Sequence, residues 1–169
     1  MKRLLCFVTA LSILILCVGC SGQKIKKPVN FYYLKTEYTI GTEDSVIAPE
    51  IRESAGYTSD QILLTQYLRG PKGNHLTSPF PAGTALLNVE QTNRCFYITL
   101  TDSLAMLSGI ELTLACSALA ITCAQLTDAP IIQIQTESAM LDGEPYIVIS
   151  TDSLFLADVY TDTATEGNE

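Results

Sequence analysis

Basic charge is scarce in this chain, and histidine scarcer still. Its 169 residues hold 10 Lys and Arg against 18 Asp and Glu, for a formal net charge of −8, with one histidine, His75. Neutralising phosphates takes clustered lysine and arginine, so the balance rules against a nucleic-acid binder. It also rules against a basic protein spread on a membrane surface. No cysteine stands near His75 in the sequence, which leaves no zinc-ligand spacing. No serine sits in a glycine-framed elbow, and Gly70-Pro71-Lys72-Gly73 lacks the spacing and the closing Lys-Ser/Thr of a phosphate-binding loop. Redox, metal, nucleotide and cofactor sites are therefore not expected.

What is present begins with an address. Met1-Lys2-Arg3 precedes an uncharged apolar run from Leu4 to Val18, and Gly19-Cys20-Ser21-Gly22 follows it. A short basic segment, an apolar stretch too short for a full span and small residues at its end describe a secretory signal. Cys17-Val18-Gly19-Cys20 resembles the lipobox of bacterial lipoproteins, with Cys17 standing where that family usually has leucine. The resemblance implies cleavage after Gly19, a lipid thioether on Cys20, and anchoring at the outer face of the cell membrane. Acyl chains contribute about 0.8 kcal/mol per buried methylene, so a diacyl group holds without inserted protein. Loss of residues 1–19 removes Lys2 and Arg3, and the balance becomes 8 basic against 18 acidic side chains, net −10.

Cysteine then becomes too sparse for a disulfide framework. Cys6 and Cys17 leave with the signal and Cys20 is acylated; Cys95, Cys116 and Cys123 remain, an odd number. Cys116 and Cys123 share one face of a helical stretch, about 10.5 Å apart along its axis, too far to bridge. All three read as small buried apolar residues.

Residues 20–28 carry three lysines, a glycine and a proline, the composition of a tether. A domain is expected over 29–152, with a first strand over 29–34. A helix follows over 57–70, capped by Thr58 and Gln61 and stopped by Gly70-Pro71. Strands over 84–90 and 95–101 flank Gln91-Thr92-Asn93-Arg94 and form a hairpin. The second helix, over 108–126, opens with a Ser108–Glu111 capping pair and is apolar almost all round, so it reads as a core helix. Ile132, Ile134 and Thr136 alternate with Gln133 and Gln135 in a further strand over 131–137. Asp142-Gly143 turns the chain into a last strand over 146–150, which Pro145 marks as an edge. Thr101-Asp102-Ser103-Leu104 recurs as Thr151-Asp152-Ser153-Leu154, and the echo reads as two strand exits, not a duplicated unit. Residues 153–169 are read as an acidic, disordered tail.

The resulting order β-α-β-β-α-β-β describes an α/β (α+β) two-layer sandwich, a mixed sheet with two helices on one face. Tyr67-Leu68-Arg69-Gly70-Pro71-Lys72 and Pro81-Ala82-Gly83-Thr84 give this order a more specific resemblance. So does Pro49-Glu50-Ile51-Arg52-Glu53 upstream, with Ile98-Thr99-Leu100-Thr101 and Leu126-Thr127 downstream. Together they resemble the GerMN domain, the sporulation and spore-germination domain of endospore-forming bacteria. That family shows Leu-x-Gly-Pro at a helix end, Pro-x-Gly-Thr at a loop exit and an upstream Pro-Glu-x-Arg element. This chain departs from it at Thr92-Asn93-Arg94, where the family has a turn with glycine, and at Thr99, where it has an acidic residue. The inner helix-strand-strand-helix-strand order also resembles the ring-building motif of proteins that stack into membrane-associated rings. The resemblance implies a non-enzymatic adaptor or assembly role with envelope or sporulation proteins as partners, ring assembly included.

For the contact surface, His75, Leu76 and Phe80 in the loop 74–80 are the expected docking residues. Glu50 and Arg52 are expected to pair locally and shape the loop before the first helix. Two rival functions use other features. A cell-envelope hydrolase needs paired carboxylates, for which Glu50, Glu53, Asp102 and Asp152 are candidates by type. A small solute-binding lipoprotein needs a cleft between lobes, and about 150 residues leave little room for two.

Overall fold

The computed structural model describes residues 27–37, 45–54 and 59–154. The expected signal, Cys20, the tether through residue 26, Thr58 and the tail from residue 155 lie outside the described residues. Strand β1 (Lys27–Lys35) therefore starts inside the expected tether. After it come β2 (Ile47–Ser54), α1 (Asp60–Leu68), β3 (Leu76–Thr77), β4 (Leu86–Gln91), β5 (Cys95–Leu100), α2 (Gly109–Cys123), β6 (Ile131–Thr136) and β7 (Tyr146–Ser150). Fold class is as expected, an α+β sandwich, but its strands divide into two sheets. One is antiparallel in the order β2-β1-β3; the other is mixed, in the order β4-β5-β6-β7.

Strand β2 is the main addition to the sequence reading. Its middle, Pro49-Glu50-Ile51-Arg52-Glu53, sets one proline and three charged residues around one exposed isoleucine, a pattern with no apolar face to announce a strand. It pairs with β1 along its whole length, Lys27 opposite Ser54 and Leu34 opposite Ile47. Pro28 and Pro49 lack an N–H and sit opposite Glu53 and Tyr32. Lys35 N–H donates to the Val46 carbonyl at 3.0 Å, which puts the even-numbered residues of β2 in the hydrogen-bonded pairs. Both prolines thus fall in non-hydrogen-bonded pairs, where no ladder donor is missing.

Side chains, not a strand, cover the other edge of β1. Strand β3 reaches only Leu34 and Lys35. Beyond it, Tyr32 N–H donates to Thr122 Oγ1 (3.1 Å) and Asn30 N–H to Gln125 Oε1 (3.3 Å). Gln125 Nε2 donates back to the Asn30 carbonyl (2.7 Å), and Tyr67 Oη to the Tyr32 carbonyl (2.7 Å). Helix α2 is therefore both the core helix its composition announces and an edge cap for the first sheet. It packs on β1, β6 and β7, while α1 packs on β4. Phe96, Ile98, Leu100, Ile132 and Ile134 project from the mixed sheet into a single core with Leu112, Leu119, Phe31 and Tyr67. Cys116 and Cys123 are free and buried in it, Cys95 at the start of β5 is also free and buried, and burial pushes the Cys116 thiol up to about 12.

Caps and turns show where local signals were sufficient. Ser59, not Thr58, is the N-cap of α1, accepting from Ile62 N–H. Ser108 occupies the N-cap of α2 without making a side-chain cap bond; Asp142 Oδ2 instead accepts from Gly109 N–H at 2.8 Å. Asp142 and Gly143 both have positive φ, +50° and +87°, the left-handed pair a tight turn between Leu141 and Glu144 requires. The repeated Thr-Asp-Ser-Leu segments leave β5 and β7 in the same way. In each, the leucine N–H donates to the threonine carbonyl at 3.3 Å, closing a short 3₁₀ turn.

Gly70 ends α1 at φ +92°. Gly70→Val should lower stability by about 1–2 kcal/mol, since the left-handed region penalises a β-branched side chain. Urea denaturation is the measurement. An unchanged midpoint would mean that the loop shifts freely and that its conformation is not imposed.

Candidate functional site

A cavity of about 840 Å³ lies between β2, the C-terminal end of α1 and the loop 69–75. Its geometry is set by one arginine. Arg52 comes from the inward face of β2 with its guanidinium 5.0 Å from the Phe31 ring centre and 5.8 Å from that of Tyr33. Its Nη2 donates to the Gly70 carbonyl at 2.8 Å and Nη1 to the Gln66 carbonyl at 3.4 Å, so it binds two carbonyls at the end of a helix. Its Nε pairs with Glu50 Oε1. The second Glu50 oxygen accepts from the N–H groups of Lys72 (2.8 Å) and Gly73 (2.9 Å).

The expected Glu50–Arg52 pair therefore exists, but as a clamp between strand, helix end and loop; it belongs to β2 and not to a loop of its own. Both side chains are 13% exposed. Burial works to raise the Glu50 carboxyl; the hydrogen bonds from Gly73 and Lys72 and the Arg52 guanidinium outweigh it and hold the group below its ordinary range. A carboxylate so held is a poor proton donor at neutral pH.

Behind the clamp stands an aromatic stack. Tyr67 is fully buried, with ring centres 5.0 Å from Tyr33, 5.5 Å from Phe31 and 5.5 Å from Phe80. Tyr33 Oη donates to the Tyr67 carbonyl at 2.8 Å. Desolvation raises both phenols, so they stay neutral donors.

The three expected docking residues part company here. Leu76 is 5% exposed and Phe80 9%, both in the core; only His75 is exposed. The correction has a simple cause. Leu76 enters β3 and Phe80 completes the aromatic stack, so the apolar residues of this loop serve the fold. His75 borders the groove and its ring packs on Gly73, where an added Cβ would lie 2.8 Å from it.

Of the other candidate carboxylates, Asp102 is held by hydrogen bonds as Glu50 is. Asp102 accepts from Ser138 Oγ (2.6 Å), Ser138 N–H (2.9 Å) and Ala139 N–H (3.0 Å), which hold it down to about 2. It fastens the loop after β6, in the other sheet from Glu50. Glu53 lines the groove. Among the described residues no group of three His, Cys, Asp or Glu side chains is placed to hold a metal ion. No helix among them is long and apolar enough to cross a membrane.

No family model matches this chain, and no curated protein matches it. Among solved structures, the tandem GerMN domains of the sporulation protein GerM from Bacillus subtilis superimpose on it with a TM-score of 0.57. The match is 16% identical in sequence and covers 78% of this chain and 48% of that one. The fold is GerMN-like. The chain spans about half the length of that tandem chain. A candidate lipoprotein from Clostridium perfringens is 18% identical over 75% of this chain and 89% of that one, with a TM-score of 0.44. In this chain Pro49-Glu50-Ile51-Arg52 and Leu68-Arg69-Gly70-Pro71, distant in sequence, meet as the two halves of one clamp.

Proposed function

We propose that this protein is a lipid-anchored, extracytoplasmic protein-interaction domain serving sporulation or spore-germination machinery, and that it performs no chemistry of its own. The observation that carries the reading is the groove itself. Its buried charges are paired with each other and with backbone, which makes it a rigid surface in place of a reactive one. The GerMN-like fold supports the setting, and the Gly19-Cys20 junction supports the anchor. Partners on this reading are envelope or sporulation proteins, ring assembly among them.

The test has two arms. Cys20→Ala should abolish incorporation of a tagged fatty acid and leave the precursor uncleaved; continued labelling of that variant would exclude Cys20 as the acceptor. Crosslinking in intact cells, followed by purification from membranes, should recover the wild-type chain with a partner. Glu50→Gln and Asp102→Asn should alter that recovery only as far as they alter the melting temperature. A carboxylate-to-amide change that abolished function in a folded, partner-bound protein would replace this reading with an enzymatic one.

A further inference from the structure

Strand β2 is an edge, and its outward side opens on the groove just described. The even-numbered residues of β2 face β1, so Pro49, Ile51 and Glu53 turn their backbone groups away from it. Within the described residues the Ile51 N–H and C=O have no partner. Its side chain is 71% exposed. The opposite edge of the same sheet is treated differently: Thr122, Gln125 and Tyr67 cover it with hydrogen bonds. Among the described residues one edge is thus capped, and the other is unpaired at Ile51 beside a cavity.

The charge around this opening runs against the rest of the chain. The overall charge is −8, yet this groove is lined by three cations, Arg52, Arg69 and Lys72, against two carboxylates, Glu50 and Glu53, a net of +1. Arg52 is balanced by Glu50. Arg69 and Lys72 are exposed on a loop fixed by the Glu50 carboxylate, so their positive field is held in place along the far wall.

We propose that the groove receives an extended acidic segment of a partner protein, which adds as a strand to β2 at Ile51 and sets its carboxylates against Arg69 and Lys72. Strand addition draws affinity from main-chain hydrogen bonds and specificity from flanking side chains. Both components are present here. Pro49 has no N–H to offer, which ends the addition after a short stretch and keeps β2 from pairing at length with other edges. The contact is accordingly short and weak per site, suited to a domain that works at a membrane surface with its partner nearby. The proposal rests on the interaction-domain reading and gives it a partner chemistry.

The experiment uses full-length protein in detergent micelles and a fluorescein-labelled decapeptide of alternating glutamate and threonine, followed by anisotropy. The peptide should bind saturably, and its lysine-threonine counterpart should not. Ile51→Pro removes the outward N–H at the centre of the proposed contact without breaking a bond to β1, in a position of the kind Pro28 and Pro49 already occupy. It should melt like wild type and bind roughly tenfold more weakly. Arg69→Glu combined with Lys72→Glu should weaken binding by a similar factor through charge alone. No saturable binding of the acidic peptide at millimolar concentration overturns the proposal. Undiminished binding by Ile51→Pro overturns strand addition. Self-association that Ile51→Pro abolishes, without peptide binding, assigns the edge to a second copy of the chain and overturns it too. These failures leave fatty-acid labelling of Cys20 and partner recovery from membranes untouched, so they are distinguishable from failure of the broader reading.

Discussion

Tyr67→Ala is expected to cost about 3–5 kcal/mol of folding stability, the range for emptying a buried aromatic site. The ring is fully buried between Phe31, Tyr33 and Phe80, and it joins α1, β1 and the loop after β3. Truncation removes three ring contacts and leaves a cavity that flanking strands cannot close. It also withdraws the hydroxyl from the Tyr32 carbonyl, on the stretch of β1 edge that β3 does not reach. Domains of this size are stable by only about 5–15 kcal/mol, so the variant should sit near its unfolding threshold. Tyr67→Phe separates the two effects, since it keeps the ring and should cost about 1–2 kcal/mol for the orphaned carbonyl. Chemical denaturation of both variants decides the matter. A loss below about 1 kcal/mol for Tyr67→Ala would show that the stack does not hold α1 to the sheet.

The same residue shows why part of this molecule could be read from its sequence and part could not. Helix α2, the β4–β5 hairpin and strands β5, β6 and β7 carry their own local signals: apolar runs or period-two alternation, with turn residues at their ends. All were expected close to their observed bounds. Strand β2 carries none. Its order comes from Arg52 lying against Phe31 and Tyr33 and reaching a helix end 14 and 18 residues on. Those are long-range contacts, and a window along the chain cannot register them. The start of α2 makes the same point on a smaller scale. Ser108 satisfies every local criterion for a side-chain cap, yet Asp142, 33 residues away from Gly109, supplies the bond. Leu76 and Phe80 failed as docking residues for a related reason. Apolar side chains in a loop are exposed or buried according to what folds over them, and here the aromatic stack of α1 and β1 does. The groove was legible in fragments, as Pro-Glu-x-Arg and Leu-x-Gly-Pro, without any signal that they meet.

Arg52→Leu should cost about 3 kcal/mol, at the lower end of what breaking a buried pair costs because the side chains retain some exposure. The substitution keeps most of the apolar bulk but strands three groups together: the Gly70 carbonyl, the Gln66 carbonyl and one oxygen of Glu50. If they form a unit, Glu50→Gln and Arg52→Leu must be non-additive. The double variant should be more stable than the sum of the single losses predicts by about 1–2 kcal/mol. The pH profile supplies an independent check. Glu50 titrates below its ordinary 4.5 in the folded state, so the unfolded chain binds its proton first as the pH falls. The stabilisation is complete above about pH 4.5 and is lost as the pH drops through the folded value. Asp102, held at about 2 against an ordinary 3.8, adds a second loss at lower pH. Thermal melts from pH 7 to pH 2 should therefore show an acid limb that Glu50→Gln shortens at its upper end and Asp102→Asn at its lower end. Strict additivity of the Glu50 and Arg52 variants would reduce the clamp to a chance meeting of two surface charges. Non-additivity would instead mean that releasing Arg52 also loosens the loop carrying Arg69 and Lys72. In that case Arg52→Leu should weaken capture of an acidic segment although neither rim cation has been touched.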